Sequence, residues 1–262
     1  MKSEIWEEIW AKNTTSFDDL LFDPFIGIEH GDYTPYVRKI LNMTPGMILE
    51  AGCGRGAWLE WLNNIHLRPA VGLDYAKHTL YRLHNRRPSF LLTSGDILKL
   101  PFADQSFSII MSWGVIEHFY DLSLVRTALY EAYRILKSSG WLFITVPLLN
   151  WLRIIKLPYR ALKDFARVSL MRADLKKEFF EHKFGRSAFL KLLESSGFRP
   201  RIVTYNSPGF GLTNEFPFNK LRKMRDNGEY AGVTKPGELI LHLTKRYPQL
   251  FAHMLFVAAR KP

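Results

Sequence analysis

The chain has 262 residues, 47% of them hydrophobic and 14% aromatic, a composition that indicates a folded core and excludes disordered, collagen-like and low-complexity proteins. Its 36 lysines and arginines outnumber its 25 aspartates and glutamates, so the net charge of +11 raises the question of an anionic partner. Cys53 is the single cysteine, which excludes an internal disulfide and a cysteine-cluster metal site and indicates a reducing compartment.

The sequence predicts neither a secretion signal nor a membrane span. The first ten residues carry three glutamates, where a signal peptide would have a basic end and an apolar run. The longest uncharged apolar stretch, Ser138 to Leu152, has 15 residues and is interrupted by Pro147 and Asn150, so it is too short to cross a bilayer. We therefore expect a cytoplasmic protein.

Residues 1–46 predict a helical leader that includes Tyr36 to Met43 and ends at a Thr-Pro-Gly turn. From Met47 onward, short apolar runs alternate with helix-length segments. Such runs are typical of strands in a parallel sheet that is covered on both faces. The alternation therefore predicts a doubly wound α/β sheet. The predicted strands are Met47–Glu50, Ala70–Asp74, Phe90–Thr93, Ser108–Ser112 and Trp141–Val146.

The best-defined predicted helix runs from Leu122 to Lys137, with Asp121 or Ser123 as its N-cap and Gly140 just beyond its end.

A second unit begins at Ser187 with a helix that stops at Gly197 and is followed by a strand at Arg201–Tyr205. A last apolar run, Met254–Ala258, is a candidate partner for that strand. We interpret residues 147–186 and 206–249 as two lid insertions on one domain that covers residues 47–262.

The most informative segment is a strand that runs into a glycine-rich turn and then a helix. Gly52, Gly54 and Gly56 alternate there, which lets the backbone pass close to a ligand. Asp74 closes the next strand, where a carboxylate can accept hydrogen bonds from both ribose hydroxyls. Because G-x-G-x-x-A is also satisfied, these features fit a nicotinamide cofactor as well as another nucleoside.

Two further features distinguish these cofactors. Glu50 ends the first strand, where its charge suits a cationic ligand better than a pyrophosphate. After the third strand come Gly95-Asp96-Ile97 and the segment L-P-F-x-D-x-S-F-x-x-I, and the fifth strand is preceded by E-A-Y-R-I-L-K-x-x-G-x-L. With E-x-G-x-G-x-G, these motifs resemble the class I S-adenosylmethionine-dependent methyltransferases, in particular the ubiquinone- and menaquinone-biosynthesis-like group. The resemblance covers residues 47–146 and resumes at 183–198.

The resemblance implies a Rossmann-like methyltransferase fold that uses S-adenosylmethionine and releases S-adenosylhomocysteine. By position, Glu50, Gly52 and Gly54 would surround the methionine portion, Asp74 would bind the ribose, Asp96 and Ile97 the adenine, and Trp113 would lie near the sulfonium. Ser108 stands where the family usually has aspartate, a position with a structural role. The full set of expected cofactor contacts is Glu50, Ala51, Gly52, Cys53, Gly54, Gly56, Asp74, Tyr75, Asp96, Ile97 and Trp113. Cys53 is expected to be a small filler.

Methyl transfer from a sulfonium depends mainly on alignment, with a base where the acceptor carries a proton. His118, just beyond the fourth strand, is the candidate general base, and packing or helix capping is its alternative role. Some related enzymes bind a metal through E-x-x-E-H, but Gly114 replaces the first glutamate here, so no metal is predicted. Other candidate bases, each with surface or packing roles as the alternative, are His30, Tyr33 and His182.

No Asn-Pro-Pro-Tyr or Asp-Pro-Pro-Tyr turn follows the fourth strand, which argues against methylation of exocyclic amines.

Part of the positive charge recurs at helical spacing in the first insertion. We define this basic stripe as Arg153, Lys156, Arg160, Lys163 and Arg167; Pro158 interrupts its helix. A second basic cluster comprises Lys220, Arg222, Lys223 and Arg225. The stripe fits a solvated lid, an anionic membrane surface or a phosphate-bearing substrate, and the basic charge would also suit RNA.

The sequence thus predicts a methyltransferase that acts on an oxygen or carbon of a small, anionic or lipid-linked acceptor. An RNA methyltransferase is the first alternative, and a non-catalytic S-adenosylmethionine-binding protein is the second. The sequence carries no signal for an oligomeric state.

Overall fold

The computed structural model describes residues 6, 28–29, 31–65, 68–156, 158, 181–214, 218–224 and 230–262. Seven strands form one mixed sheet in the order β3-β2-β1-β4-β5-β9-β6, and β7 and β8 form a separate hairpin. The strands are β1 (Ile48–Ala51), β2 (Ala70–Asp74), β3 (Leu91–Ser94), β4 (Phe107–Trp113), β5 (Leu136–Pro147), β6 (Arg199–Asn206), β7 (Arg222–Met224), β8 (Tyr230–Val233) and β9 (Met254–Arg260).

The described helices alternate with these strands in the first half of the chain and continue into the second. They are α1 (Thr34–Met43), α2 (Ala57–Ile65), α3 (Lys77–Arg86), α4 (Leu122–Ile135), α5 (Trp151–Ile155), α6 (Arg186–Ser195), α7 (Pro208–Thr213) and α8 (Lys235–Leu243). Short 3-10 turns cover Ile116–His118, Phe218–Leu221 and Pro248–Leu250. None of the described helices is long and apolar enough to cross a bilayer.

Helices pack on both faces of the sheet, as the apolar runs predict. Successive strand residues point to opposite faces. Leu49 and Ile110 therefore join a buried cluster with α4 and α6, whereas their neighbours Ile48 and Ile109 join one with α1 and α2. The central strands are buried on both sides, which explains their continuous apolar sequences.

The last strand completes the sheet by running against its neighbours. β9 lies between β5 and β6 and is antiparallel to both, with Val257 opposite Ile144 on one side and Val203 on the other. The predicted pairing of residues 254–258 with residues 201–205 is confirmed, even though more than forty residues separate them.

The predicted boundary between α4 and β5 was wrong, since β5 begins at Leu136 and not at Trp141, whereas the ends of the other predicted strands shift by at most two residues. Asp121 is the N-cap of α4, as expected, and its Oδ1 accepts a hydrogen bond from Ser123 N at 2.8 Å. The helix ends at Ile135 instead of Lys137, because Leu136 already pairs with Phe107 across the sheet. The apolar periodicity continues into β5, so the sequence pattern alone could not reveal this change.

The two segments predicted to be insertions leave the sheet at the same edge. β5 ends at Pro147 and β6 ends at Asn206; these residues both pair with Met254, the first residue of β9. Because β5 is parallel to β4, this is the edge formed by the carboxyl ends of the parallel strands. Residues 159–180 of the first insertion, and most of residues 1–30 of the leader, lie outside the described residues.

Residues 206–214 pack closely against the loop before β9, and Gly211 makes the closest approach. A side chain at this position of α7 would overlap the carbonyl oxygen of Phe251 and lie 2.8 Å from the backbone nitrogen of His253. Alanine normally favours a helix over glycine by about 1 kcal/mol, whereas overpacking against rigid backbone costs about 1–3 kcal/mol. The steric overlap should outweigh the helix preference, so a side chain at this position should lower the free energy of unfolding.

We therefore expect Gly211→Ala to lower the free energy of unfolding by about 2 kcal/mol, measured by urea denaturation. The control is Gly185→Ala, where an added methyl group meets no atom within 4 Å. A Gly211→Ala variant as stable as the parent protein would contradict the packing of α7 against the loop before β9.

Candidate active site

The glycine-rich turn lies at the carboxyl ends of β1 and β2. Gly52 and Gly56 have φ values of +84° and +78°, which non-glycine residues adopt with strain. A side chain at Gly52 would also come within 2.5 Å of Val115 Cγ2. The backbone nitrogens of Gly52 and Cys53 donate to Leu73 O at 2.7 and 2.9 Å, which fixes the turn against β2.

Two buried carboxyl groups flank this turn. Asp74 Oδ2 accepts a hydrogen bond from Gly54 N at 2.7 Å, and Oδ1 accepts one from Ala76 N at 2.8 Å. Glu50 is only 3% exposed, and its Oε2 has no hydrogen-bond partner in the described part of the chain. Burial, followed by the charge of Asp74, raises the pKa of Glu50 well above its ordinary value. The ionised form of Glu50 is therefore disfavoured unless a positive charge lies beside it.

Cys53 lies between the glycines as a buried side chain. An added methyl group at Gly72 would meet its Sγ at 2.9 Å, so the thiol fills the space between the turn and β2. Burial and the charges of Glu50 and Asp74 raise its pKa well above the ordinary value. A thiol in these surroundings is a poor nucleophile, which agrees with the expected role as a filler.

The next strand end carries the residues expected at the adenine. Asp96 follows β3, and its Oδ1 accepts a hydrogen bond from Leu98 N at 2.9 Å. Ile97 borders a small internal cavity that is also lined by Ala51 and Ser112. Tyr75, directly after Asp74, is 43% exposed. These residues occupy the same sheet edge as the glycine turn, so the fold brings the expected cofactor residues together.

Trp113 lies in a group of stacked aromatic rings at the end of β4. Its ring centroid is 4.6 Å from that of Trp58 and 5.3 Å from that of Tyr33, and both ring pairs are nearly parallel. Phe256 of β9 stacks on Tyr33 at 4.7 Å. Burial raises the pKa of Tyr33, which favours its neutral form as packing material. The expected contact of Trp113 with a sulfonium stays a prediction.

The 3-10 turn after β4 holds the candidate base and a second carboxyl group. The ring of His118 meets the ring of Trp6 edge to face, with centroids 4.8 Å apart. Glu117 is 3% exposed, and no described group forms a hydrogen bond with its Oε2. Burial is the main cause that raises the pKa of Glu117 to about 8.

His182 lies beside this turn, because its backbone nitrogen donates to Glu117 O at 2.7 Å. The structure therefore places the backbone of His182 beside the turn that carries His118, another of the candidate bases. Tyr33 belongs to the aromatic group described above, and His30 lies outside the described residues. Among the residues that the structure describes, no cluster of three or more histidine, cysteine or acidic side chains could hold a metal.

The proposed basic stripe was wrong at its first member. Arg153 is 1% exposed, and its Nη1 donates to Leu148 O at 2.5 Å while its Nη2 donates to His253 Nδ1 at 2.9 Å. Asn150 caps α5 through a 2.9 Å hydrogen bond from Arg153 N and thereby sets the helix rotation. Burial, with the charges of Arg153 and Lys183, lowers the pKa of His253 to about 4. Arg160, Lys163 and Arg167 lie outside the described residues.

Two residues of the second basic cluster, Arg222 and Lys223, already have partners within the chain. Arg222 Nη2 donates to Thr213 O at 3.2 Å, and its guanidinium lies 5.7 Å from the ring centroid of Phe210. Lys223 forms an ion pair with Glu238 at 3.2 Å. Lys220 is exposed, and Arg225 lies outside the described residues. The cluster therefore provides less free positive charge than the sequence suggests.

Sequence reasoning missed the contact between Arg153 and His253 and gave Glu117 no role of its own. Arg153 and His253 are one hundred residues apart, so no local pattern connects them. Glu117 did have a signal, since it directly precedes His118 beyond a predicted strand, but only the fold shows that its carboxyl group is buried.

The buried Glu117 predicts a specific pH dependence of stability. Between about pH 4.5 and pH 8 the native state keeps the proton that the unfolded chain loses, so stability falls as pH rises through this window. Relative to Glu117→Gln, the wild-type free energy of unfolding should fall by up to about 4 kcal/mol across it. Urea denaturation at several pH values would measure the difference.

Glu131→Gln is the matched control. The hydrogen bond from Arg134 holds the pKa of Glu131 below its ordinary value, so this carboxylate is ionised in both states at neutral pH. Its contribution is lost only at acidic pH, and the difference between wild type and Glu131→Gln should therefore be constant from pH 6 to pH 9. A difference for Glu117→Gln that is equally constant would contradict the buried neutral carboxyl group.

Comparison with known proteins supports one family. Residues 49–144 match the methyltransferase domain family. A probable S-adenosylmethionine-dependent methyltransferase of Mycolicibacterium smegmatis is 30% identical over 100 residues, or 38% of this chain and 37% of the relative. The human probable tRNA methyltransferase 9B is 36% identical over 114 residues, or 43% of this chain and 24% of the relative. The alignments thus span well under half the length of these curated relatives.

Solved structures extend the similarity beyond the family match. An S-adenosylmethionine-dependent methyltransferase from Mesorhizobium loti superposes with a TM-score of 0.56 at 17% identity, covering 90% of this chain and all of the other. At this identity the likeness concerns the fold alone. It covers far more of the chain than residues 49–144, which the family model matches.

The sheet order, the glycine turn between two buried carboxyl groups and the family match over residues 49–144 all support the same assignment. Residues 49–144 form a methyltransferase domain of the class I S-adenosylmethionine-dependent type.

Proposed function

We propose that this protein transfers a methyl group from S-adenosylmethionine to an oxygen or carbon atom of a small acceptor. The observation that carries the proposal is the pair of buried carboxyl groups, Glu50 and Asp74, on either side of the glycine turn. Burying a carboxyl group is unfavourable unless a positive charge or hydrogen bonds compensate it. A cationic nucleoside ligand would supply that positive charge.

The residues present fit such a ligand. Glu50 Oε2 is buried without a hydrogen-bond partner in the described part of the chain, so it can still accept a hydrogen bond, and Gly52 and Gly56 adopt the positive φ values of the turn. Glu50, Gly52 and Gly54 would hold the methionine portion, Asp74 the ribose, and Asp96 with Ile97 the adenine. When bound, S-adenosylmethionine supplies a methyl group on a positively charged sulfur atom. The sulfur is an already activated leaving group.

The acceptor would enter at the carboxyl edge of β4 and β5, where ligands bind in open α/β sheets. His118 is the proposed base that removes a proton from the acceptor, and it lies on the turn directly after β4. Glu117 is the neighbouring carboxyl group, and its pKa near 8 leaves it largely protonated at neutral pH. The neutral form can donate a hydrogen bond to an acceptor oxygen, so the two side chains suit complementary roles.

RNA is the second candidate acceptor, favoured by the relative described as a probable tRNA methyltransferase and by the net charge of +11. Phosphate binding requires lysine and arginine side chains that reach the surface. The internal contacts of Arg153 and Arg222 reduce the positive charge that the described part of the chain could offer to RNA.

The first test is calorimetric titration with S-adenosylhomocysteine. The wild-type protein should bind it, and Asp74→Asn should weaken binding by about tenfold or more, because a carboxylate accepts stronger hydrogen bonds than an amide. Asp104→Asn is the control, since Asp104 is an exposed aspartate paired with Arg134. No binding by the wild type, or full affinity in Asp74→Asn, would refute the cofactor site.

The second test follows a radiolabelled methyl group from S-adenosylmethionine into total RNA or into small-molecule and lipid extracts of the source cells. Label should enter the extracts, and His118→Gln should slow its transfer about a hundredfold without changing cofactor affinity. His84→Gln, on the exposed face of α3, is the control. Label in RNA would favour the second candidate. Cofactor binding with no transfer to any fraction would indicate a non-catalytic binding protein.

A further inference from the structure

The described part of the first insertion has an inverted polarity. In α5 the charged residue Arg153 points inward, whereas Trp151 and Ile155 are 53% and 73% exposed. Ile154 is exposed as well, and positions 151, 154 and 155 share one face of a helix. A helix that buries its arginine and exposes its large apolar side chains requires an apolar partner on its outer face.

A second exposed apolar face lies on α8. Leu239 and Leu243 are one helical turn apart and are 59% and 72% exposed, and Tyr247 just beyond the helix is 51% exposed. Gly237 is the only residue of α8 that is buried. The helix therefore directs two of its leucines away from the core.

These two faces belong to neighbouring segments. The 3-10 turn Pro248–Leu250, which follows Tyr247 directly, packs against α5. Asn150 at the start of α5 donates from its Nδ2 to Ala252 O at 3.0 Å. The two contacts place the segment that directly follows Tyr247 beside α5, near the sheet edge where Pro147 ends β5. We define the docking surface as Trp151, Ile154, Ile155, Leu239, Leu243 and Tyr247.

Positive charge accompanies this surface. Lys245 and Arg246 are exposed and lie between Leu243 and Tyr247, and Lys156 follows Ile155 directly. The nearest acidic residue of α8, Glu238, is paired with Lys223. Aliphatic side chains, a tryptophan and a tyrosine beside lysine and arginine are the composition that binds the boundary of a membrane with anionic lipids.

We propose that the docking surface binds the headgroup boundary of a membrane that contains anionic phospholipids. RNA would use the cations but gain little from exposed isoleucine and leucine. A second copy of the chain would place the same cations opposite one another across a symmetric interface, which is repulsive. An anionic lipid surface complements both the apolar and the charged residues.

The docking itself does not depend on catalysis. The role of docking in methyl transfer rests on the proposed function, because the surface adjoins the edge where the acceptor would enter. The chemical class of acceptor that follows is an amphiphile that stays in the membrane while its reactive group reaches the site.

The test is flotation of the cofactor-free protein with phosphatidylcholine vesicles, with and without phosphatidylglycerol. The wild type should float only with the anionic vesicles. Ile155→Asp combined with Leu243→Asp should reduce the bound fraction about tenfold. The matched control combines Tyr81→Asp and Tyr130→Asp, which alter equally exposed residues of α3 and α4 by the same charge.

A second pair of double variants tests the contribution of positive charge separately from that of apolar contact. Lys245→Glu with Arg246→Glu should abolish the preference for anionic vesicles, whereas Lys99→Glu with Lys137→Glu should retain it. Thermal unfolding of each variant shows that it folds.

Four results would overturn the proposal: no flotation of the wild type, undiminished flotation of the aspartate pair, retention of RNA without vesicle binding, or a dimer that the aspartate pair dissociates. Because no cofactor is present, failure here leaves the methyl-transfer proposal standing, and the labelling experiment tests that one separately.

Discussion

The parallel pairing of β1 with β2 and β4 is the constraint on which the candidate site depends. It places Glu50, Asp74 and the turn after Trp113 at one sheet edge, because parallel strands end together. The hydrogen bond from Gly54 N to Asp74 then fixes the glycine turn between the strand ends. Without this register the two carboxyl groups would not lie at one site, and a single ligand could not compensate the burial of both.

Charge is divided along this edge. The side near β1 and β2 has buried carboxyl groups, whereas the side near β5 and β9 has buried Arg153 and exposed lysine and arginine residues. The net charge of +11 also overstates the free positive surface. Arg68, for example, donates to the carbonyl oxygens of Leu41, Thr44 and Gly46. Its guanidinium thereby anchors the end of α1 and the turn before β1, so these donors are already used within the chain.

The strands and the glycine turn were predictable, because burial on both faces leaves continuous apolar runs and a positive φ leaves glycine. The end of α4 was not, since its apolar period continues through Leu136 into the next strand. The orientation of α5 was predicted incorrectly for a related reason. Helical spacing shows which residues share a face, but contacts with Leu148 and His253 decide which face is buried.

The sequence by itself determined the sheet type, the glycine-rich turn and the family resemblance, since each is encoded in residues that are close together along the chain. Only the tertiary structure decided the burial of Glu117, the inward orientation of Arg153 and the contact of α5 with the turn Pro248–Leu250. These features depend on contacts between residues far apart in sequence, and the free energy of burying a charge or exposing an apolar face is set by neighbours that no local pattern specifies.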